Sequence, residues 1–203
     1  MKKLLIIGGV VAFLGLLAVA VVLIAGMSYN GLVGKAQGVD KQWAQVQNVY
    51  QRRADLIPNL VATVSGAANF EKSTLTAVVD ARASVGRVTI SADKAPADAE
   101  QLAQFEKAQG ALSSALSRLL VVSEQYPDLK ATAGFRDLQV QLEGTENRIS
   151  VERGRFNDAV QNYNTAIKSF PEVFFAGALG FKEKPYFTAT AGSEVPPAVK
   201  FNF

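Results

Sequence analysis

The residues of this 203-residue chain that could carry chemistry are charged residues placed inside an apolar pattern. Residues 51–61 read QRRADLIPNLV, so two arginines, an aspartate, a proline and an asparagine interrupt one long amphipathic stretch. A guanidinium can bind an anion or pair with a carboxylate, and a carboxylate can bind a metal ion or transfer a proton. The question is whether these charges form a reactive site or hold the fold together.

The composition removes most kinds of reactive site. The chain contains no cysteine and no histidine, which excludes thiol nucleophiles, zinc fingers, disulfides and histidine acid–base catalysis. Di-metal sites in helical bundles use Glu-x-x-His pairs, which also need histidine. An all-carboxylate site from Glu143, Glu146 and Glu152 stays open, although a solvated acidic face is the simpler interpretation. We therefore expect no enzymatic activity, no cofactor and no metal site.

The charge gives no indication of nucleic-acid binding. Lys2 and Lys3 account for two of the 21 basic residues, and the 19 that remain nearly balance the 18 acidic residues. A nucleic-acid interface needs lysines and arginines clustered on one face. We therefore expect no nucleic-acid partner.

The N-terminal region predicts a transmembrane anchor. Residues 4–27 carry no charge and, as a helix, span roughly 36 Å, enough for a bilayer core of about 30 Å. A cleaved secretory signal is the alternative, because Ala18-Val19-Ala20 resembles a cleavage site. The apolar run continues past this site, so we expect a retained single-pass anchor at residues 1–28, with membrane lipid around it.

The charges flanking this anchor indicate its orientation. Lys2 and Lys3 precede it, whereas Lys35 and Lys41 follow it with Asp40 between them. The positive-inside rule then places the N-terminus in the cytoplasm and the rest of the chain on the extracytoplasmic side.

Small residues form one stripe of the anchor. Gly8, Ala12 and Gly15 recur at three- and four-residue spacing, which allows helices to approach closely in lipid. The alternative is that the stripe reflects the general abundance of glycine and alanine in such anchors.

Beyond the anchor, apolar residues recur every three or four positions, which is typical of helices. The first stripe runs over residues 32–64, and three further amphipathic segments follow. They cover residues 70–85, 102–119 and 135–170, with a loop at 86–96 and helix ends near Pro127 and Pro171. The predicted fold is all-α, with the transmembrane helix followed by an elongated antiparallel four-helix bundle of long, coiled-coil-like helices at residues 29–171.

Arg53 stands on the first stripe, where an apolar residue belongs. An unpaired buried guanidinium costs several kcal/mol, so Arg53 needs a partner. If the first and fourth helices are antiparallel, residues 146–152 lie alongside, and Glu152 is the first candidate. The alternative is that the stripe drifts and Arg53 lies at the rim.

The other polar residues of this segment have separate expected roles. Pro58 removes the hydrogen bond to the carbonyl of Ala54 and is expected to bend the helix, and Asn59 is the candidate for satisfying the freed group. Arg52 and Asp55 belong to the exposed side of the segment, which could serve as a docking surface.

Residues 172–203 form a tail rich in aromatic residues, glycine and proline. Its apolar content argues against disorder. We expect it to pack as a strap on the bundle, and insertion of the segment FFAGALGF (174–181) into the membrane interface is the alternative.

Eight motifs lie in order along the chain: YNGLV (29–33), Trp43, QRRADLIPNLV (51–61), Glu71, AR (81–82), FP (170–171), GF (180–181) and PxVxF (197–201). Taken together they resemble the LemA family of bacterial membrane proteins, and the resemblance covers essentially the whole chain. It implies an N-terminal membrane anchor and a four-helix up-and-down bundle. It implies no catalytic residues, because the family has no established enzymatic role, and its members are often encoded beside membrane-associated partners or a membrane metalloprotease.

Two functions follow as expectations for a protein of the bacterial inner membrane. The first is a membrane-anchored scaffold that assembles into a homo-oligomer through its anchor and its helical domain. The second is an adaptor or regulator that docks onto another membrane protein, such as a membrane protease or an envelope factor.

Overall fold

The structure is a computed structural model, and it describes residues 2–67, 70–88 and 94–188. All regular secondary structure in these residues is helical, which confirms the predicted all-α class. The sequence motif at 197–201 lies outside the described residues. The helices are α1 (Lys2–Ser65), α2 (Lys72–Arg87), α3 (Ala99–Ser123), α4 (Pro127–Ala131) and α5 (Ala133–Lys168), followed by a 3₁₀ turn at Glu172–Phe174.

Helix α1 is unusually long and changes character once along its length. Its large apolar side chains from Ile6 to Met27 are exposed, whereas Ser28 and Leu32 are buried. By length and composition, its N-terminal part could cross a membrane. The helix passes the expected boundary at residue 28 without a break, so the candidate span and the first helix of the packed domain are one element.

The core of the packed domain consists of two clusters. In the proximal cluster, residues 32–50 of α1 pack with residues 149–167 of α5. In the distal cluster, residues 57–64 of α1 pack with residues 135–142 of α5. Trp43 is the centre of the proximal cluster, and its ring lies 5.1 Å from Phe105 and 5.6 Å from Phe156, between ring centroids. Helix α3 contributes to both clusters and α2 to the distal one.

The predicted helix ends are displaced by a few residues at two prolines. Pro127 begins α4 instead of ending α3, because proline fits the first turn of a helix, where its missing N–H is not needed. Helix α5 ends at Lys168, two residues before the Phe170-Pro171 peptide. Since proline disfavours helical backbone in the residue before it, α5 ends ahead of Phe170.

Residues 181–188 form an extended segment, here called the strap, that lies along α5. The Asn164 side chain donates to the carbonyl of Lys184 at 2.8 Å and accepts from its N–H at 2.9 Å. Asn157 makes the same two bonds with Phe187, at 3.0 and 2.9 Å. The two asparagines are seven residues apart and so share one face of α5. They hold the strap so that Phe187 is buried in the proximal cluster.

Replacing Asn164 with alanine removes both of its bonds to Lys184 and leaves a backbone N–H and a carbonyl without these partners. We expect the free energy of unfolding to fall by about 1–3 kcal/mol and the amides of the strap to exchange faster with solvent. Chemical denaturation and hydrogen exchange measure the two effects. The exposed neighbour Asn162, changed to alanine, is the control, and equal effects of the two substitutions would contradict the role assigned to Asn164.

Candidate functional site

The strongest concentration of polar contacts in the domain surrounds Arg53, which is 1% exposed. Its Nη1 atom donates to Glu146 Oε1 at 2.6 Å and to Ser113 Oγ at 2.7 Å. Its Nη2 atom donates to the side-chain oxygen of Gln109 at 2.5 Å and to the Gln109 carbonyl at 3.3 Å. One guanidinium therefore joins α1, α3 and α5 by charge-assisted hydrogen bonds.

The expected pair between Arg53 and Glu152 is wrong. Glu152 accepts from Gln42 Nε2 at 2.6 Å and from Arg155 Nη1 at 2.8 Å. Gln42 lies 11 residues before Arg53, about 16 Å along α1, so Glu152 faces a different level of the helix. The partner of Arg53 is Glu146, whose side chain is 45% exposed, so its carboxylate stays partly hydrated.

A second arginine lies beside this site. Arg153 Nη2 donates to Glu106 Oε1 at 2.7 Å and to the carbonyl of Thr188, the last residue of the strap, at 3.1 Å. Its guanidinium carbon lies 4.5 Å from the centroid of the Phe187 ring, in a cation–π contact. The guanidinium of Arg53 makes the same kind of contact with Tyr50, at 5.1 Å.

Burial changes the acid–base properties of two neighbours of these arginines. It raises the pKa of Tyr50 above its usual value, and the charges of Arg153 and Arg53 offset part of that rise. Burial also raises the pKa of Glu106, although its ion pair with Arg153 acts in the opposite direction. Both groups help to line a groove of about 680 Å³ that also contains Arg53, Arg153 and Glu146.

This arrangement is suited to holding helices together. Each of the two guanidiniums forms an ion pair, Arg53 with Glu146 and Arg153 with Glu106. The three acidic residues considered for a metal site do not converge, because Glu143 accepts from Gln139 while the other two bond as described above. Among residues 2–67, 70–88 and 94–188, no group of three or more aspartates and glutamates could hold a metal ion.

The hydrogen bond that Pro58 cannot make is replaced by one from another helix, which the sequence did not predict. Helix α1 continues through this proline, which cannot donate to the carbonyl of Ala54. Arg82 of α2 donates its Nε–H to that carbonyl at 3.2 Å, which ties α2 to α1 at the interrupted turn. The expected role of Asn59 is wrong, because its side chain is exposed and its carbonyl accepts from Thr63 Oγ1 at 2.8 Å.

The remaining predicted site residues are exposed on the surface of the protein. Arg52 and Asp55 are exposed, and Asp55 accepts a hydrogen bond from Gln51 at 2.7 Å. In the candidate span, Ala12 is exposed, and nothing lies within 4 Å of the position that a Cβ atom would take at Gly8 or Gly15. The structure therefore brings together Arg53 and an acidic residue of α5, but it does not join Arg52, Asp55 or Asn59 to them.

Three residues of this region were not predicted from the sequence: Gln109, Ser113 and Arg82. Gln109 is 5% exposed and falls between Phe105 and Leu112 on the apolar stripe of α3. A polar residue on such a stripe signals a buried hydrogen-bonding partner, as Arg53 does on α1. Arg82 is exposed and gives no comparable signal.

The described residues define a helical protein with one candidate membrane span and a domain whose helices meet at a buried arginine. The sequence model of the LemA family matches residues 42–201, and the chain belongs to this family. The match confirms the resemblance seen in the motifs.

Three named relatives show how far the similarity extends. The magnetosome protein MamQ of Magnetospirillum gryphiswaldense is 26% identical, and the match covers 84% of this chain and 68% of MamQ. Magnetosome protein MamQ 1 of Paramagnetospirillum magneticum is also 26% identical, with the same coverage. Protein LemA of Metamycoplasma hominis is 24% identical, over 73% of this chain and 67% of its own length.

Replacing Arg53 with alanine should lower the free energy of unfolding by about 2–4 kcal/mol, because buried polar groups of α3 lose their donor and a cavity remains. In a double-mutant cycle, Arg53→Ala and Glu146→Ala should couple by about 1–2 kcal/mol, whereas Arg53→Ala and Glu152→Ala should add within about 0.5 kcal/mol. Denaturation of the full chain in detergent measures both cycles.

The exposed neighbour Arg52, changed to alanine, controls for the loss of one positive charge, and its effect should stay within about 0.5 kcal/mol. Coupling to Glu152 in place of Glu146 would refute the contacts described for Arg53.

Proposed function

We propose that this protein is a non-enzymatic, membrane-anchored scaffold that assembles into a homo-oligomer in the bacterial inner membrane. The observation that carries the proposal is the continuity of α1 from the exposed apolar residues at its start to the buried core positions at its end. A helix without a break transmits the spacing and tilt of the membrane spans to the domains attached to them. We further propose that the domain is an elongated antiparallel four-helix bundle of α1, α2, α3 and α5.

The contacts between helices support the bundle. Early residues of the packed part of α1 meet late residues of α5, and later residues of α1 meet earlier ones of α5. Contacts in this order are typical of two neighbouring helices that run antiparallel. Helix α3 fits the same up-and-down arrangement, because it contributes Phe105 to the proximal cluster and Leu119 to the distal one.

The candidate span supplies the route to self-assembly. Lipid offers no hydrophobic drive for helix association, so close packing of small residues is the available interaction. Gly8, Ala12 and Gly15 present such a surface, and no other part of the described chain covers it. Once spans associate, the effective concentration of the tethered domains rises to roughly millimolar, so weak contacts between domains become populated.

The second candidate is an adaptor that docks onto another membrane protein. One observation favours it: the segment 51–61 is fixed on its inner side by Arg53, while Arg52, Asp55 and Asn59 are exposed on its outer side. A rigid polar surface of this kind suits recognition of a protein partner. Neither candidate involves a reaction.

The first test changes the small-residue stripe. Replacing Gly8, Ala12 and Gly15 with isoleucine keeps the span apolar but blocks close approach of two helices. We expect the purified protein to shift from an oligomer to smaller species, measured by light scattering in mild detergent and by crosslinking in native membranes.

A control variant places two isoleucines elsewhere on the span. Gly9 and Ala20 lie about 100° around the helix from the stripe, so Gly9→Ile with Ala20→Ile should leave the assembly intact. If the parent protein is a monomer in both measurements, the scaffold proposal fails and the adaptor takes its place.

The second test concerns orientation. We propose that Lys2 and Lys3 lie in the cytoplasm and that the helical domain lies on the extracytoplasmic side, as the flanking charges favour. Protease added to intact spheroplasts should then digest the domain. Protection that is lost only after lysis would reverse the orientation.

A further inference from the structure

The turn after α5 exposes an apolar cluster that the proposed scaffold does not use. Phe170 is 80% exposed and Phe174 is 70% exposed, and their rings contact each other with centroids 5.9 Å apart. Val173 and Leu179 are also exposed, at 49% and 41%. These four residues are here called the aromatic knob. Several large apolar side chains exposed on one short segment are typical of an interaction site.

The position of the aromatic knob along α1 indicates what it meets. The ring of Phe181, just after the knob, contacts the ring of Tyr29 with centroids 5.7 Å apart. Tyr29 follows Met27, the last exposed residue of the candidate span, by two positions, or about 3 Å along the helix. The knob therefore lies at the level where α1 leaves the bilayer if its N-terminal part crosses one.

Part of the backbone of this segment is hydrogen-bonded internally, which lowers the cost of placing it against lipid. Val173 N–H donates to the Ser169 carbonyl at 2.7 Å, and Leu179 N–H donates to the Phe175 carbonyl at 2.9 Å. Phe181 N–H closes the segment by donating to the Ala176 carbonyl at 3.0 Å. Gly180, with a φ of 82°, supplies the left-handed residue that this closure needs.

Charged residues lie on both sides of the aromatic knob, and one lies within it. Lys168 precedes it and pairs with Glu183 at 2.7 Å, and both side chains are largely exposed. Lys182 follows it and is exposed, and Glu172 lies within the segment and is half-buried. Aromatic rings beside lysines suit the boundary between acyl chains and headgroups, where one part of the surface is apolar and the other is hydrated.

We propose that the aromatic knob inserts into the interface of the same bilayer that α1 spans, so that the protein touches lipid at two places. The inference rests on the proposed membrane anchorage but not on the proposed self-assembly. Two contacts fix the tilt of the domain and its rotation about α1, which a single span leaves free.

The absence of cysteine from the chain makes a site-specific test direct. The full chain is reconstituted in liposomes and spin-labelled at a single introduced cysteine, with Phe174→Cys as the reporter. Leu16→Cys reports insertion of the span. Val121→Cys is the matched control, because it is also 70% exposed and apolar but follows Leu119 of the distal cluster. Accessibility to oxygen, which partitions into lipid, is compared with accessibility to a water-soluble nickel chelate.

Interfacial insertion predicts an oxygen-to-nickel ratio at position 174 that is severalfold higher than at position 121 and lower than at position 16, because the interface lies further from the bilayer centre. Ratios that are equal at positions 174 and 121 overturn the inference. Low accessibility to both reagents at position 174 also overturns it, in favour of a second copy or a protein partner covering the knob.

Two further measurements distinguish a local effect of the label and a failure of the membrane anchorage from a failure of knob insertion. Val173→Cys repeats the measurement without removing an aromatic ring, so a local disturbance at Phe174 does not decide the result. A low oxygen-to-nickel ratio at position 16 means that the span itself is not inserted, which refutes the membrane anchorage as distinct from the knob.

Discussion

The structure depends on one constraint: α1 is a single helix that forms a wall of both core clusters and also carries the candidate span. Every other element of the domain is placed by packing against it or against a helix that does so. Proline inside such a helix usually breaks or kinks it. At Pro58 the bond from Arg82 to the Ala54 carbonyl replaces the missing backbone donor. Helix α1 continues through this position without a break.

Arg53 lies between the two clusters and determines how the helices align. Tyr50, one turn before it, belongs to the proximal cluster, and Ile57, one turn after it, belongs to the distal cluster. A shift of α5 by one helical turn, about 5.4 Å, would remove Glu146 from the guanidinium and leave a buried charge without its carboxylate. Apolar contacts tolerate sliding better than this charge does, so the arginine selects one register among several that the apolar stripes would allow.

Periodicity in the sequence was enough to predict the helical class, the span and the core stripe of α1, because each depends on spacing within one element. The partner of Arg53 was not predictable in the same way. Glu146 and Glu152 lie less than two helical turns apart on α5, and the choice between them depends on the rotation of α5 and on where α3 places Gln109 and Ser113. The sequence led us to expect a strap from the tail, but it gave no sign of the asparagines that hold it. Asn157 and Asn164 join a helix to an extended segment that has no period of its own.

The continuity of α1 also has a mechanical consequence. From Tyr29 to the end of the helix at Ser65, α1 forms an arm of about 54 Å. A change of about 10° in the angle of the span moves the distal end of this arm sideways by roughly 9 Å. Bilayer thickness and curvature alter the angle at which a span sits. If the candidate span crosses a bilayer, the distal end of the domain, with α2 and the turn at α4, therefore moves when the thickness or curvature of that bilayer changes.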